Sequence, residues 1–198
     1  MHRLRAFFEE LALDWDAQQP PGRDAIIEGL LEPFDVRFPE GASVLDVGTG
    51  TGALIPILQK RYPGRGIVSM DLAAAMLQRA RQRCPHSNLV QADVHVLPFK
   101  PGSFSTVVCH NSFPHFWRKQ VALQELRRVI QTGGSLLILH DLSREEVNAV
   151  HGGAQAEIIH QDLLPEGGEL AGWLQQSGFL PDCVDDGPEY YIVTATAV

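Results

Sequence analysis

Cysteine is scarce in this chain of 198 residues. Cys84, Cys109 and Cys183 stand far apart, with none of the paired spacing that marks a disulfide framework or a zinc knuckle, and a reducing compartment follows. Long apolar runs are also missing. Nothing approaches the ~20 residues that a membrane-spanning helix needs, and Arg3, Arg5, Glu9 and Glu10 interrupt the stretch where a signal peptide would be continuous. No membrane partner is expected, and the cytoplasm is the expected location. Basic charge is in deficit: 16 Lys and Arg face 24 Asp and Glu, for a net charge of -8, without any basic run. That balance excludes an electrostatic nucleic-acid binder, which needs a local excess of cations against phosphate. Internal repeats and low-complexity segments are absent too. The remaining composition, 44% hydrophobic and 20% charged, is that of one globular domain over 1–198 with a substantial core.

What is present alternates in a regular way. Leu4, Phe7, Phe8, Leu11 and Trp15 fall at three- and four-residue steps, which predicts a helix ending before Gln19-Pro20-Pro21-Gly22. A second helix, capped by Asp24, is expected through Ile26, Ile27, Leu30 and Leu31 to near Pro33. Together they form a helical cap over 1–40. Beyond it, 41–198 reads as a Rossmann-like core, because short apolar or β-branched runs near 43–47, 66–71, 88–92, 104–110 and 135–140 alternate with helical patterns near 52–61, 73–83 and 119–130. The last of these helices is expected to end at Gly133-Gly134. Further helices are expected at 143–150 and 168–176, then strands at 179–184 and 190–196 joined through Asp185-Asp186-Gly187-Pro188 as an antiparallel hairpin. The expected fold class is α/β: a doubly wound, mostly parallel seven-stranded sheet with a final antiparallel strand and helices on both faces.

The densest chemical signal is Asp46-Val47-Gly48-Thr49-Gly50-Thr51-Gly52, where a strand candidate runs into glycines and then a helix. Glycines let a backbone pass close to a ligand, and free amides at a helix start favour an electronegative group. Alone, such a loop is equally a turn without a ligand. Asp71 closes the next strand candidate, nineteen residues beyond Gly52, near the spacing at which a carboxylate reaches a ribose hydroxyl pair. Asp93 follows the third strand. All three carboxylates would line the carboxyl edge of adjacent strands, where open α/β sheets bind ligands.

With Val44 to Gly52, Asp71-Leu72, Gln91-Ala92-Asp93, Leu97-Pro98-Phe99, Phe104 to Cys109 and Leu126 to Ser135 in this order, the chain resembles the class I S-adenosylmethionine-dependent methyltransferases, in particular the small type related to the ubiquinone and menaquinone biosynthesis enzymes. The resemblance covers roughly 40–140 well and the rest loosely. It implies S-adenosylmethionine as cofactor and S-adenosylhomocysteine as product. It places Gly48, Thr49, Gly50 and Gly52 along the methionine portion, with Asp46 ordering the amino group. It gives Asp71 the ribose hydroxyls and sets Leu72 beside the adenine. Asp93 would accept the adenine amino group, Ala92 and Val94 would supply wall and backbone, and His110 and Asn111 would face the methionine end and the acceptor. A nicotinamide dehydrogenase also uses a glycine loop and an acidic strand end, and Ala53 is tolerated at its third glycine position. Asp93 and the Leu-Pro-Phe segment fit the methyltransferase pattern only.

A sulfonium methyl is already electrophilic, so holding a nucleophile in line with it is the main task, and a base is needed only when that nucleophile arrives protonated. Phe7, Phe8 and Trp15 are candidates for a lid over the cofactor, with simple packing on the sheet as the alternative; the resemblance favours the lid. Five of the eight histidines fall where the acceptor side should lie. Three readings stay open: surface histidines, a base or substrate-positioning group among His110, His115 and His140, or a divalent metal held by His115, His140, His151 and His160. Cys109 reads as a buried small hydrophobe. The expected function is methyl transfer to a small-molecule acceptor. The rival is a module that binds the cofactor or handles a metal through the histidines without turnover.

Overall fold

The structure is a computed structural model, and it describes residues 2–153 and 157–198. Seven strands form one sheet: β1 (Ser43–Val47), β2 (Gly66–Asp71), β3 (Asn88–Gln91), β4 (Phe104–His110), β5 (Ile130–His140), β6 (Phe179–Asp186) and β7 (Tyr191–Ala197). Their spatial order is β3-β2-β1-β4-β5-β7-β6. The first five strands pair in parallel, and β7 inserts antiparallel between β5 and β6. This is the expected doubly wound sheet, and the chain reverses direction across it between β1 and β4, so a crevice opens at their carboxyl ends.

The central strands carry apolar residues on both faces because helices cover both. On one face, α2 (Arg23–Leu31) and α3 (Leu54–Arg61) bury Ile27, Leu30, Leu31, Ile57 and Leu58 against Val108, Leu137 and Leu139. Phe38 stacks on Tyr62 there with ring centroids 4.1 Å apart, a contact worth about 0.5–1.5 kcal/mol beyond its buried area. On the other face, α5 (Lys119–Val129) and α7 (Gly167–Gln176) bury Leu123, Leu126, Leu170 and Leu174 against Val107, Ile138 and Val193. Each fully buried Leu or Ile contributes ~1.5–3 kcal/mol relative to exposure. Edge strand β6 alternates buried and exposed positions at first and then turns outward, as a half-solvated antiparallel edge should.

Three local features differ from the sequence expectation. The first helix, α1 (His2–Leu11), ends four residues before Trp15, which leads into a short 3-10 turn, Asp16–Gln18. Asp24 does not cap α2; the capping position is Gly22, at φ 82°, with no side-chain cap. The left-handed backbone there favours glycine over any residue with a Cβ. Helix α5 stops at Val129, and the Gly133-Gly134 pair lies inside β5, beside a register shift opposite Phe104 and Thr106. A Cβ on Gly134 would stand 2.8 Å from the Ser105 carbonyl oxygen, so this glycine serves a close strand approach instead of ending a helix.

Two further helices frame the crevice. Helix α4 (Ala74–Arg83) follows β2, and α6 (Arg144–Gly152) follows β5. Ser143 and Glu146 close a capping box at the start of α6, each satisfying the other's backbone amide. No helix among the described residues is long and apolar enough to cross a membrane.

Candidate functional site

Gly48, Gly50 and Gly52 have φ values of 74°, 56° and 84°, and each has a different neighbour. A Cβ on Gly48 would lie 2.4 Å from Cβ of Ser112, whose hydroxyl donates to the Val47 carbonyl at 2.7 Å. Gly52 abuts Ala80 of α4, whereas a Cβ on Gly50 would meet nothing within 4 Å. Gly50 therefore faces open space, the geometry of a backbone that passes beneath a ligand. The amides of Gly48 and Thr49 both donate to the Met70 carbonyl at 2.9 Å, tying the loop to the end of β2.

Asp71 does more than end its strand. Its Oδ2 accepts the Gly50 amide at 2.8 Å and its Oδ1 accepts the Ala73 amide at 2.9 Å, so one carboxylate shapes both the glycine loop and the entry to α4. Burial raises its pKa, and these backbone donors act against that rise. Asp46 is 1% exposed and its Oδ2 has no hydrogen-bond partner. Burial pushes its pKa up to about 6, tempered by the nearby Thr49 and Ser69 hydroxyls, although neither hydroxyl makes a well-formed hydrogen bond to it.

Asp93 holds a histidine that the sequence reading overlooked. His95 Nδ1 lies 2.6 Å from Asp93 Oδ1, and His95 Nε2 accepts the Arg118 amide at 3.2 Å. An Nε2 that accepts carries no proton, so Nδ1 donates to the carboxylate. Asp93, Val94 and His95, with Asp71, Leu72 and Ala92, line a cleft of about 740 Å³. A second hollow of about 380 Å³ is lined by Asp46, Thr49, His110 and Arg23, and shares Trp15, Gly48, Gly50 and Asn111 with the first. The two form a continuous groove around the glycine loop. Of the twelve residues expected at the cofactor, only Gly52 does not line it; Gly52 packs against Ala80 instead.

Arg23 at the second hollow is a further group without a signal in the sequence. Its Nε lies 3.0 Å from Asp141 Oδ2, while Asn111, at φ 50°, donates from Nδ2 to Asp141 Oδ1 at 2.5 Å. His110 Nε2 stands 3.7 Å from the same carboxylate, and burial holds its pKa down at about 4 despite that charge. Burial likewise holds His140 at about 3; it is enclosed beside Tyr191 with Nε2 unpartnered.

The four histidines considered for a metal do not converge on one. His115 Nδ1 is 2.8 Å from Asp162 Oδ2, and His151 Nδ1 is 2.5 Å from the Asp162 carbonyl oxygen, so both rings are committed to one residue. His140 is buried and His160 is exposed. No group of three or more His, Cys, Asp or Glu placed to hold a metal ion exists among the described residues. The divalent-metal expectation is corrected accordingly. Of the three base candidates, only His115 lines the larger cleft.

The N-terminal helix covers this cleft. Leu4, Phe8 and Trp15 line it, and Phe8 stands edge-on to His115 with centroids 4.9 Å apart. Phe7 lies off the wall and packs edge-on against Phe8. Polar contacts fasten the segment. Glu9 accepts the Ala74 and Ala75 amides at 2.9 and 2.7 Å, Thr51 donates to Asp16 at 2.6 Å, and Arg79 donates to the Leu13 carbonyl at 2.6 Å.

Residues 45–138 match the family described as a methyltransferase domain. The chain is 34% identical over 150 residues to the demethylmenaquinone methyltransferase of Thermus thermophilus, across 73% of this chain and 67% of that one. It is also 34% identical over 135 residues to the malonyl-[acyl-carrier protein] O-methyltransferase of Geobacter sulfurreducens, across 67% of this chain and 50% of that one. The chain thus spans half to two thirds of the length of these curated relatives. Among solved structures, a SAM-dependent methyltransferase from Thermotoga maritima shares the fold with a TM-score of 0.75 at 16% identity, covering 98% of this chain and 100% of that one.

Proposed function

Because the chain belongs to the S-adenosylmethionine-dependent methyltransferase family, in the ubiquinone and menaquinone group, we propose that it transfers the methyl group of S-adenosylmethionine to a small-molecule acceptor and releases S-adenosylhomocysteine. The observation that carries this reading is the continuous groove lined by Asp71, Asp93 and Gly48 to Gly50.

The residues fit the donor molecule along its length. In this reading Asp71 takes the ribose hydroxyls, Asp93 the adenine amino group, and Leu72, Ala92 and Val94 the faces of the base; all five line the cleft. Gly50 leaves room for the chain between ribose and methionine. The unpartnered Oδ2 of Asp46 suits the donor's ammonium group, which would also draw its carboxyl back to the ionised form. Arg23, with the Thr49 and Asn111 neighbourhood, suits the donor's carboxylate. Bound there, the donor supplies an electrophilic methyl on sulfur. The protein then contributes orientation, a factor that can lower a barrier by about 7–11 kcal/mol.

Leu4, Phe8, Phe116 and Trp117 line the acceptor side, a largely apolar wall that suits a compact acceptor. The relatives are named for a quinone precursor and for a carrier-bound malonyl group. Calorimetry with S-adenosylhomocysteine, followed by incubation with methyl-labelled donor and a fractionated metabolite extract, tests the reading. Binding and a labelled small product are expected. Absence of binding would overturn the donor assignment, and binding without label in any fraction would favour a cofactor-binding module.

A further inference from the structure

Asp162 holds two imidazoles with two different groups. Its carboxylate Oδ2 is 2.8 Å from His115 Nδ1, and its carbonyl oxygen is 2.5 Å from His151 Nδ1. A carbonyl and an ionised carboxylate only accept, so both rings carry their proton on Nδ1 and present a lone pair at Nε2. The two rings lie 4.9 Å apart, and Phe8 stands edge-on to His115 at the same centroid distance. His115 ends the turn Phe113–His115 that follows β4, His151 lies in the last turn of α6, and Phe8 comes from α1. Three separate parts of the chain thus fix one imidazole, whose side chain keeps 17% exposure and lines the cleft with Gly48 and Asp71.

A histidine that served only packing would need neither a carboxylate at Nδ1 nor a place on the cleft wall. The Asp–His pair is the arrangement that sets a tautomer, holds the ring and stabilises the imidazolium once a proton arrives. Lys119 donates from Nζ to the Pro114 carbonyl at 2.8 Å, bracing the turn that carries His115.

Resting on the methyl-transfer reading, we infer that His115 Nε2 is the proton acceptor for an apolar acceptor molecule that attacks through a protonated heteroatom, a hydroxyl or a thiol, with Asp162 as its positioning residue. The heteroatom's lone pair forms the bond to the methyl carbon, the methyl–sulfur bond breaks with its electron pair passing to sulfur, and the heteroatom's proton passes to His115 Nε2. The imidazolium is held by the Asp162 carboxylate and returns its proton to solvent as product leaves. General-base assistance of this kind is worth roughly 100- to 10,000-fold in rate.

The test uses the full chain with S-adenosylhomocysteine bound and ¹⁵N-labelled histidine, titrated with 4-methylphenol, 4-methylbenzenethiol and, as apolar control, toluene. His115 is expected to show the Nδ1-protonated signature before addition, and the phenol or the thiol, but not toluene, is expected to shift its Nε2 resonance. With labelled donor, the responding probe should be methylated. His115→Gln should lower kcat at least about 100-fold, with S-adenosylhomocysteine affinity within threefold of wild type. Asp162→Asn should lower kcat about tenfold with little change in KM, and should move His115 toward the Nε2-protonated form, a spectral change that loss of packing alone would not produce. The inference is overturned if neither heteroatom probe moves the His115 signal, if toluene moves it equally, or if His115→Gln keeps full turnover. Loss of S-adenosylhomocysteine binding by the wild type would instead overturn the donor reading beneath it.

Discussion

Oδ2 of Asp71 accepts the amide hydrogen of Gly50 at 2.8 Å, so the carboxylate expected to meet the ribose also holds the loop that lies beneath the donor. Its partner oxygen does the same for Ala73 at the start of α4. In the proposed reading, ligand recognition and loop shape are coupled through one side chain.

Asp71→Asn leaves one of the two backbone donors facing an amide NH₂. An unsatisfied buried donor costs about 1–3 kcal/mol, so both urea stability and S-adenosylhomocysteine affinity should fall, the latter by tenfold or more. Unchanged calorimetric affinity would remove the ribose assignment while leaving the loop contact intact.

Arg23 separates the two ends of the donor. Arg23→Met should weaken S-adenosylhomocysteine by about 10- to 100-fold, the range of a charge-assisted hydrogen bond of ~1.5–3 kcal/mol. Methylthioadenosine, which lacks the amino-acid end, should bind as it does to wild type. Equal losses for both ligands would mean that Arg23 acts only by bracing Asp141.

Glu9 anchors the covering helix through the Ala74 and Ala75 amides at the positive end of α4. Burial alone would raise its pKa, but these two donors and Arg5 outweigh burial and lower it. The anchor is therefore intact above the usual glutamate range near 4.5 and is lost as the pH falls through the lowered value. Glu9→Ala should speed amide exchange in residues 3–12 and raise the dissociation rate of S-adenosylhomocysteine about fivefold, for a contact of ~1 kcal/mol. Exchange rates identical to wild type would show that apolar packing of Phe8 and Ala12 is sufficient.

Acid sensitivity has a defined origin. Burial holds His140 at about 3 and His110 at about 4, while the unfolded chain binds those protons near 6.5. Their neutral forms therefore support the fold fully above pH 6.5, and that support drains away as the pH falls toward 4 and then 3. Asp46 acts in the opposite sense, because burial raises it to about 6 from 3.8, so acidification relieves its penalty. Between pH 6 and 4 the two histidines outweigh Asp46 and stability declines; the lowered pKa of His151 adds to that loss and the raised pKa of Asp71 opposes it. His140→Gln should flatten that decline in urea titrations at pH 6, 5 and 4. An unaltered slope would locate the acid sensitivity elsewhere.

The polar contacts that make the site specific were illegible for a common reason. His115 and Asp162 are 47 positions apart, Glu9 and Ala74 are 65 apart, and Arg23 and Asp141 are 118 apart. Gly52 shows the converse: it belongs to the motif by spacing, yet its surroundings are a helix and not the groove. His95 sits two residues from Asp93, and that short separation was the one available hint of its contact with a candidate ligand residue.

The sequence by itself determined the strand and helix alternation, the glycine loop, the acidic strand ends and hence the sheet, because two- and 3.6-residue periodicities and the steric freedom of glycine act over a few neighbouring residues. Tertiary structure alone decided that β5 begins at Ile130, that Asp71 braces the loop, and that Asp162 orients His115 and His151. Those outcomes depend on which distant segments meet at the carboxyl edge of the sheet. A side chain's partner there is set by chain topology and by the need to satisfy each buried polar atom, neither of which leaves a local pattern to read.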